Sequence, residues 1–274
     1  MRSTVMSSPV SRASESEATS GALSITWLGH ATVLVEIDGV RALTDPVLRD
    51  RVGPLVRIVP SVELAGSVDC VLLSHLHADH TDLPTLRALE RCGPVLAPYP
   101  AREWLARNGL RDVRELHPGG EIGVGGLRIS ATAAVHDHRR RPFGPAAEPV
   151  GYVIRGSRAV YFAGDTDLFA GMAELRGAVD VALLPVWGWG ASVGAGHLDP
   201  KSAAEAAALI APAIAIPIHW GTFALARPAR RAPDPERPAR EFAELTKRYA
   251  PAVDVRVLKP GQRTMLKPGQ PTTL

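Results

Sequence analysis

The segment His75-Leu76-His77-Ala78-Asp79-His80 crowds three imidazoles and a carboxylate into six residues, directly after an apolar run from Val68 to Leu73. Such a run, ending at Ser74, predicts a buried strand that delivers the residues after it to the edge of a sheet. On an extended chain, side chains 75 and 77 leave on the same side. Positions 79 and 80 lie further along and address a neighbouring point. Four chelating groups around two adjacent points suit a pair of metal ions, because a catalytic ion takes few protein ligands and keeps one position open for water. Imidazole nitrogen with carboxylate oxygen fits Zn²⁺ first, with Mn²⁺ and Fe²⁺ as the other candidates. A merely polar surface loop would hold these four donors only by accident.

Around this segment the chain alternates strands and helices. Leu23 to Trp27, Thr32 to Ile37 and Val40 to Thr44 predict a meander with a hairpin at Asp38-Gly39. Asp82 followed by Pro84 starts a helix to about Arg91, Val95 to Ala97 is a strand, and Ala101 to Asn108 is a helix closed by Gly109. A second set of strands covers Glu121 to Val124, Leu127 to Ala134, Tyr152 to Ile154, Ala159 to Phe162, Val179 to Pro185 and Ala213 to Ile218. Helices follow from Asp199-Pro200 to Ile210 and from Pro238 to Tyr249. Two strand-rich halves, each with helices late in its sequence, predict two sheets packed face to face with helices outside: a four-layer αββα sandwich spanning 22–274. The Ser-, Thr- and Glu-rich stretch 1–21 reads as a disordered tail.

His136, Asp165 and His219 each fall at the C-terminal end of one of these strands, where α/β folds assemble sites. A single histidine there is more often structural. Three such residues in this order, beside the six-residue run, point to one metal centre.

Composition narrows the partners. Hydrophobic residues make up 46% and charged residues 22% of the chain, and no apolar run approaches the ~20 residues of a membrane-spanning helix. The first residues lack the apolar core of a signal peptide. Two cysteines, Cys70 and Cys92, have no spacing typical of a disulfide framework or zinc knuckle, so a reduced, cytoplasmic setting is the default. A net charge of +3 is weak support for nucleic-acid binding. The substrate class that remains is a small molecule or a lipid-like one, and a homo-oligomer is left open. The stretch from Arg227 to Arg240, alternating Arg, Pro and Ala, reads as solvated loop.

The six-residue run resembles the His-x-His-x-Asp-His signature of the metallo-β-lactamase superfamily, and Ala134-Val-His136, Phe162-Ala-Gly-Asp165-Thr and Pro217-Ile-His219-Trp resemble its later motifs. Ile25-Thr-Trp-Leu-Gly-His-Ala-Thr-Val-Leu-Val-Glu36, Thr44-Asp-Pro46, His197-Leu-Asp-Pro200 and His219-Trp-Gly-Thr-Phe-Ala-Leu225 are similar to the branch holding N-acyl-phosphatidylethanolamine phospholipase D and the bacterial ascorbate-phosphate lactonases. The similarity runs from about residue 23 to 266. It implies that His75, His77 and His136 hold one ion, that Asp79, His80 and His219 hold the other, and that Asp165 bridges them. His at 77, where diiron oxygen-reducing relatives carry Glu, argues against that chemistry. Asp at 165 in place of Cys favours phosphodiesterases and lactonases over antibiotic-cleaving enzymes. The lack of an inserted second domain disfavours the nuclease branches.

The implied chemistry is hydrolysis. Zinc lowers the pKa of a bound water from about 15.7 to about 7, the resulting hydroxide attacks phosphorus or a carbonyl carbon, and a metal takes up the oxyanion charge. A phosphodiester, phospholipase D-like substrate comes first; a lactone or other carbonyl substrate is the alternative, and a metal-binding scaffold without turnover is the alternative of another class. Asp79 would also orient the nucleophile. The resemblance further implies that His197 contacts substrate or steadies the oxyanion, and that Asp45 supports the ligand loop from behind. Trp187 and Trp189, in a glycine-rich loop, are candidates to wall the pocket, against simple packing. Arg139, Arg140 and Arg141 follow His136 closely enough to reach a substrate anion, against plain exposed loop. His30 stands evenly between structural and functional roles, and His117 and His138 read as loop residues.

Overall fold

In the computed structural model, which describes residues 22–89, 92–140, 144–190, 192–226 and 234–266, two seven-stranded sheets face one another. The first has the order Arg263–Leu266, Leu23–Gly29, Thr32–Ile37, Val40–Thr44, Cys70–Leu72, Val95–Pro98 and Val113–Leu116. Its pairing is antiparallel through the opening meander and parallel from Val40–Thr44 onward. Asp38 and Gly39 both take positive φ, as a two-residue hairpin turn matched to strand twist requires. The second sheet has the order Asp254–Val255, Ile214–Ile218, Val181–Pro185, Ala159–Phe162, Val150–Arg155, Leu127–Ala133 and Glu121–Val124.

Alternation along the strands sorts side chains into layers. Trp27, Val33, Val35, Cys70 and Leu72 join Tyr152, Phe162 and Ile216 in a core between the sheets. The same cluster continues through the second sheet to Ala203, Ala207 and Phe242 on the helices Pro200–Ile210 and Arg237–Tyr249. The intervening residues Leu34, Leu43, Val71 and Leu73 face the other way and pack with Leu86 and Leu105 of the helices Leu83–Ala88 and Arg102–Arg107. Helix, sheet, sheet, helix is therefore the layer order, an αββα sandwich.

Several elements differ from the sequence expectation. The edge strands Val113–Leu116, Asp254–Val255 and Arg263–Leu266 mix charged with apolar residues, so a pairing partner rather than local propensity makes them strands. A small sheet of Phe223–Leu225, Leu55–Arg57 and Arg51–Val52 stands beside the two large ones. The helix foreseen from Pro84 to Arg91 ends at Ala88, because Leu89 turns extended and packs into the outer core. Residues 1–21, including the expected tail, lie outside the described residues, as do 90–91, 141–143, 191, 227–233 and 267–274. Among the described residues, no helix is long and apolar enough to cross a membrane.

Candidate metal centre

The C-terminal ends of adjacent strands converge on one point. Cys70–Leu72 leads to Ser74 and His75, Val40–Thr44 to Asp45, Ala159–Phe162 to Asp165, and Ile214–Ile218 to His219. Three of the non-glycine residues with positive φ are here, His30 (54°), Asp45 (31°) and His219 (62°), so the backbone is locally strained where the side chains meet. Gly164, at φ 62°, lets the strand end before Asp165 close on the ligand loop: a Cβ there would meet Ser74 Cβ at 2.5 Å.

His75, His77 and His136 form one group. The outward nitrogen of each ring meets an acceptor, which fixes the tautomer. Ser74 Oγ donates to Asp45 Oδ2 (2.5 Å) and so accepts from His75 Nδ1 at 3.0 Å. His77 Nε2 donates to the Arg139 carbonyl at 3.1 Å, and His136 Nδ1 donates to the Gly196 carbonyl at 2.7 Å. The inward nitrogens, His77 Nδ1 and His136 Nε2, then stand 3.0 Å apart, lone pair to lone pair. Among the described residues, His75 Nε2 is buried with no hydrogen-bond partner.

Asp79, His80 and His219 form a second group, with His30 against it. His80 Nδ1 donates to Asp45 Oδ2 at 2.7 Å, and His219 Nδ1 donates to the Trp187 carbonyl at 2.6 Å. Their Nε2 atoms face each other at 3.0 Å. Asp165 touches both groups: its Oδ2 is 3.1 Å from His80 Nε2, its Oδ1 is 3.3 Å from His219 Nε2, and it clusters with His136 and His197. Asp165 Oδ1 is buried without a hydrogen-bond partner among the described residues.

Burial pushes His75, His77 and His136 below the ordinary histidine range, and His219 down to about 3. These rings are neutral, so the converging nitrogens carry lone pairs. Burial would lower His80 too, but Asp165 and Asp79 outweigh it and hold that ring well above its ordinary range. Burial also opposes ionisation of Asp79 and Asp165. The surrounding histidines, His80 for Asp79 and His219 for Asp165, reverse it and hold both carboxyls well below the usual range. Converging lone pairs, orphaned buried atoms and ionised carboxylates make a donor set that fits divalent cations; buried polar atoms otherwise find partners.

The family model for the β-lactamase superfamily domain matches residues 40–220. The chain belongs to the metallo-β-lactamase superfamily. A UPF0173 metal-dependent hydrolase of Methanopyrus kandleri is 38% identical over 246 residues, 87% of this chain and 97% of that protein. Another, from Thermoplasma acidophilum, is 37% identical over 220 residues, 78% of this chain and 88% of that protein. Among solved structures, Igni18, a metallo hydrolase from Ignicoccus hospitalis, superposes with a TM-score of 0.70 at 26% identity, covering 90% of this chain and 99% of that one.

In this metallo-β-lactamase fold, the connection after Val181–Pro185 walls the site. Trp187 supplies the carbonyl under His219 and donates Nε1 to the Gly190 carbonyl, while Trp189 donates Nε1 to Asp79 Oδ2 at 2.9 Å and is 39% exposed. Beside them a cavity of about 90 Å³ is lined by Trp189, Ser192, Val193, His197 and His219 with three glycines. His197 Nε2 lies 3.4 Å from Asp165 Oδ2, and its side chain is partly open. A larger cavity, about 650 Å³, lies between Leu48–Arg49, Ser61–Leu64 and Pro84–Leu89, and none of the seven donors lines it.

The arginines divide. Arg139 is exposed, and its backbone holds His77. Arg140, expected against a substrate anion, instead turns inward: its guanidinium donates to the Leu76 and Thr81 carbonyls and stacks on the Trp104 ring at 4.9 Å. Both bonds leave from Nη1, so they hold the guanidinium against the ligand loop. Arg141 lies outside the described residues. His117 pairs with Glu148 on the surface, and His138 is exposed.

Sequence reasoning passed over Ser74, which links Asp45 to His75, and Thr81, whose hydroxyl donates to the His75 carbonyl at 2.7 Å. It also left His30 undecided. That residue is 1% exposed, with Nε2 at 3.2 Å from Asp79 Oδ2. The available signal was Gly29-His30-Ala31 at a break between two buried strands, a place where a ring is turned by its backbone.

Proposed function

We propose that this metal-dependent hydrolase works with two divalent ions, Zn²⁺ first, one held by His75, His77 and His136, the other by Asp79, His80 and His219, with Asp165 between them. The observation that carries the proposal is the meeting of neutral imidazole nitrogens at 3.0 Å with no proton to share, beside the orphaned His75 Nε2. When bound, the ions supply Lewis acidity that activates water and takes up negative charge. The chain does the rest. His75, His77, His136 and His219 are locked in one tautomer by outer acceptors, and His80 is oriented by Asp45; Asp79 is fixed by two N–H donors and so can orient the nucleophile; His197 stands at the open side within reach of a substrate oxygen.

For the reacting centre we assign a phosphodiester first, in keeping with the resemblance to the phospholipase D and lactonase branch. A carboxylate touching two donor groups supports it, because two-metal clamps suit the in-line displacement of phosphoryl groups. A carbonyl substrate such as a lactone or ester is the second reading, favoured by the inward turn of Arg140 and the small glycine-lined cavity. Metal analysis of protein purified without chelator, then assays with bis(p-nitrophenyl) phosphate, N-acyl phospholipids and a set of lactones, test both. About two ions per chain with diester turnover supports the first reading. One ion or none after supplementation overturns the two-metal proposal, and lactone turnover alone selects the second reading.

A further inference from the structure

His30 ends the strand Leu23–Gly29 in a left-handed conformation (φ 54°), which turns its ring under the second donor group. Every polar backbone atom of the residue is committed. Its N–H donates to Thr222 Oγ1 at 2.7 Å, and its carbonyl accepts from Trp27 Nε1 and from the His219 N–H, both at 2.9 Å. The ring lies 3.9 Å from the His219 ring and meets Phe223 edge-on at 5.3 Å. Phe223 is backed in turn by the buried Arg57 guanidinium, 4.9 Å from its centroid. The small third sheet thus has a use: it presses His30 against the metal-binding side chains.

What the ring does there follows from its partner. An ionised carboxylate only accepts, so Nε2 facing Asp79 Oδ2 at 3.2 Å carries the proton. Trp189 Nε1 reaches the same oxygen at 2.9 Å from the opposite loop. Two donors on one oxygen fix the carboxylate's rotation, and this oxygen is also the one within 3.9 Å of His80 Nε2 and 4.0 Å of His219 Nε2. A nitrogen that donates to Asp79 cannot at the same time offer a lone pair to an ion. We propose that His30 is a positioning residue, not a ligand: it aims Asp79, and through its carbonyl the strand end of His219, at the second ion. This rests on the two-metal proposal above.

The test is a chelator-competition titration of each ion with the full-length chain, together with the visible spectrum of the Co²⁺-substituted protein. His30→Phe keeps a ring against His219 and Phe223 but removes the donor. His30→Asn tolerates the left-handed backbone and is too short to reach Asp79, so it serves if the phenylalanine variant does not fold. Either should weaken one of the two ions about 10- to 100-fold, the usual size for losing an outer partner of a ligand, and shift one Co²⁺ band set while the other stays. His30→Gln, which retains an N–H donor, should recover most of the affinity. Two ions held with wild-type affinity in a folded His30→Phe or His30→Asn chain overturn the proposal. Failure of the glutamine to rescue would overturn it too, making His30 a ligand. A wild-type chain that binds fewer than two ions would instead remove the two-metal proposal beneath it.

Discussion

The two donor groups of this site are built from the same chemistry and held in different ways. His75, His77 and His136 are three neutral rings, and two of them rest on carbonyls, Arg139 and Gly196, that belong to long connections between strands. Asp79, His80 and His219 contain a carboxylate, and their supports are mixed: Asp45 follows Val40–Thr44 and His30 follows Leu23–Gly29, while Trp187 under His219 and Trp189 on Asp79 belong to the connection after Val181–Pro185. Each half mixes buried and open donors: His75, His80 and His219 are 1%, 0% and 1% exposed, whereas His77, His136 and Asp79 are partly open to solvent. A site carrying more negative charge binds a divalent ion more tightly, so the half that includes Asp79 is expected to hold the tighter ion.

Asp165 is the residue the halves share, and removing it should erase the difference between them. Asp165→Ala is expected to lower hydrolysis by on the order of 100-fold or more, past what loss of an outer partner costs, and to cut the bound metal at both positions. His77→Ala should be as damaging to turnover but leave the Asp79 half loaded. Circular dichroism should show both chains folded, since the cores on both faces of the sheets lie elsewhere. Unchanged turnover in either variant would remove the assignment of the centre.

The contrast in strength predicts an order of release. In a chelator titration the His75 half should empty first, with an affinity about tenfold or more below the other. His77→Ala protein should then retain an ion at chelator concentrations that strip His219→Ala protein completely; the opposite order would reverse the comparison. Asp45→Asn sharpens it. Asp45 accepts from Ser74 N, Ser74 Oγ and His80 Nδ1, at 2.7, 2.5 and 2.7 Å. An amide in its place keeps the volume but loses the charge that orients His80, so the tighter ion should weaken by about 10- to 100-fold. An equal loss at both positions would mean that Ser74 carries the effect to His75 as strongly as His80 does to its own ion.

Both halves were legible in the sequence where their parts are short-range: His75 and His77 of one and Asp79 and His80 of the other fall within six positions, and Asp45 announces itself before Pro46 at a strand end. The strands were legible for a similar reason, since β-branched and aliphatic runs such as Thr32–Ile37 are local signals. What stayed hidden depends on distant approach. Nothing local in Arg140 says that its guanidinium will satisfy the Leu76 and Thr81 carbonyls, because those acceptors are freed by the turn after His75 and lie more than fifty positions away. The third sheet is equally silent: Leu55–Arg57 pairs with Phe223–Leu225 across most of the chain.

The looser half offers the smallest and most discriminating effect, in the two arginines that follow His136. Arg140 ties the ligand loop to the connection bearing Arg139, and hydrogen bonds from a charged group to carbonyls contribute about 1.5–3 kcal/mol. Arg140→Ala should therefore lower Tm and loosen the His75-half ion several-fold, with no preference for charged substrates. Arg139 is exposed, and an exposed ion pair is worth at most about 1 kcal/mol, roughly fivefold in affinity. Arg139→Ala should leave Tm and metal binding alone, because its contribution to His77 is a backbone carbonyl that every residue has. If its side chain meets a substrate anion, KM for anionic substrates should rise by a few-fold with kcat unchanged, as uniform binding requires, and added salt should shrink the difference. A wild-type KM on every anionic substrate turned over would make Arg139 plain surface and shift the assignment toward an uncharged lactone or ester. An Arg140→Ala chain with unchanged Tm but a raised KM for anions would return that guanidinium to the substrate.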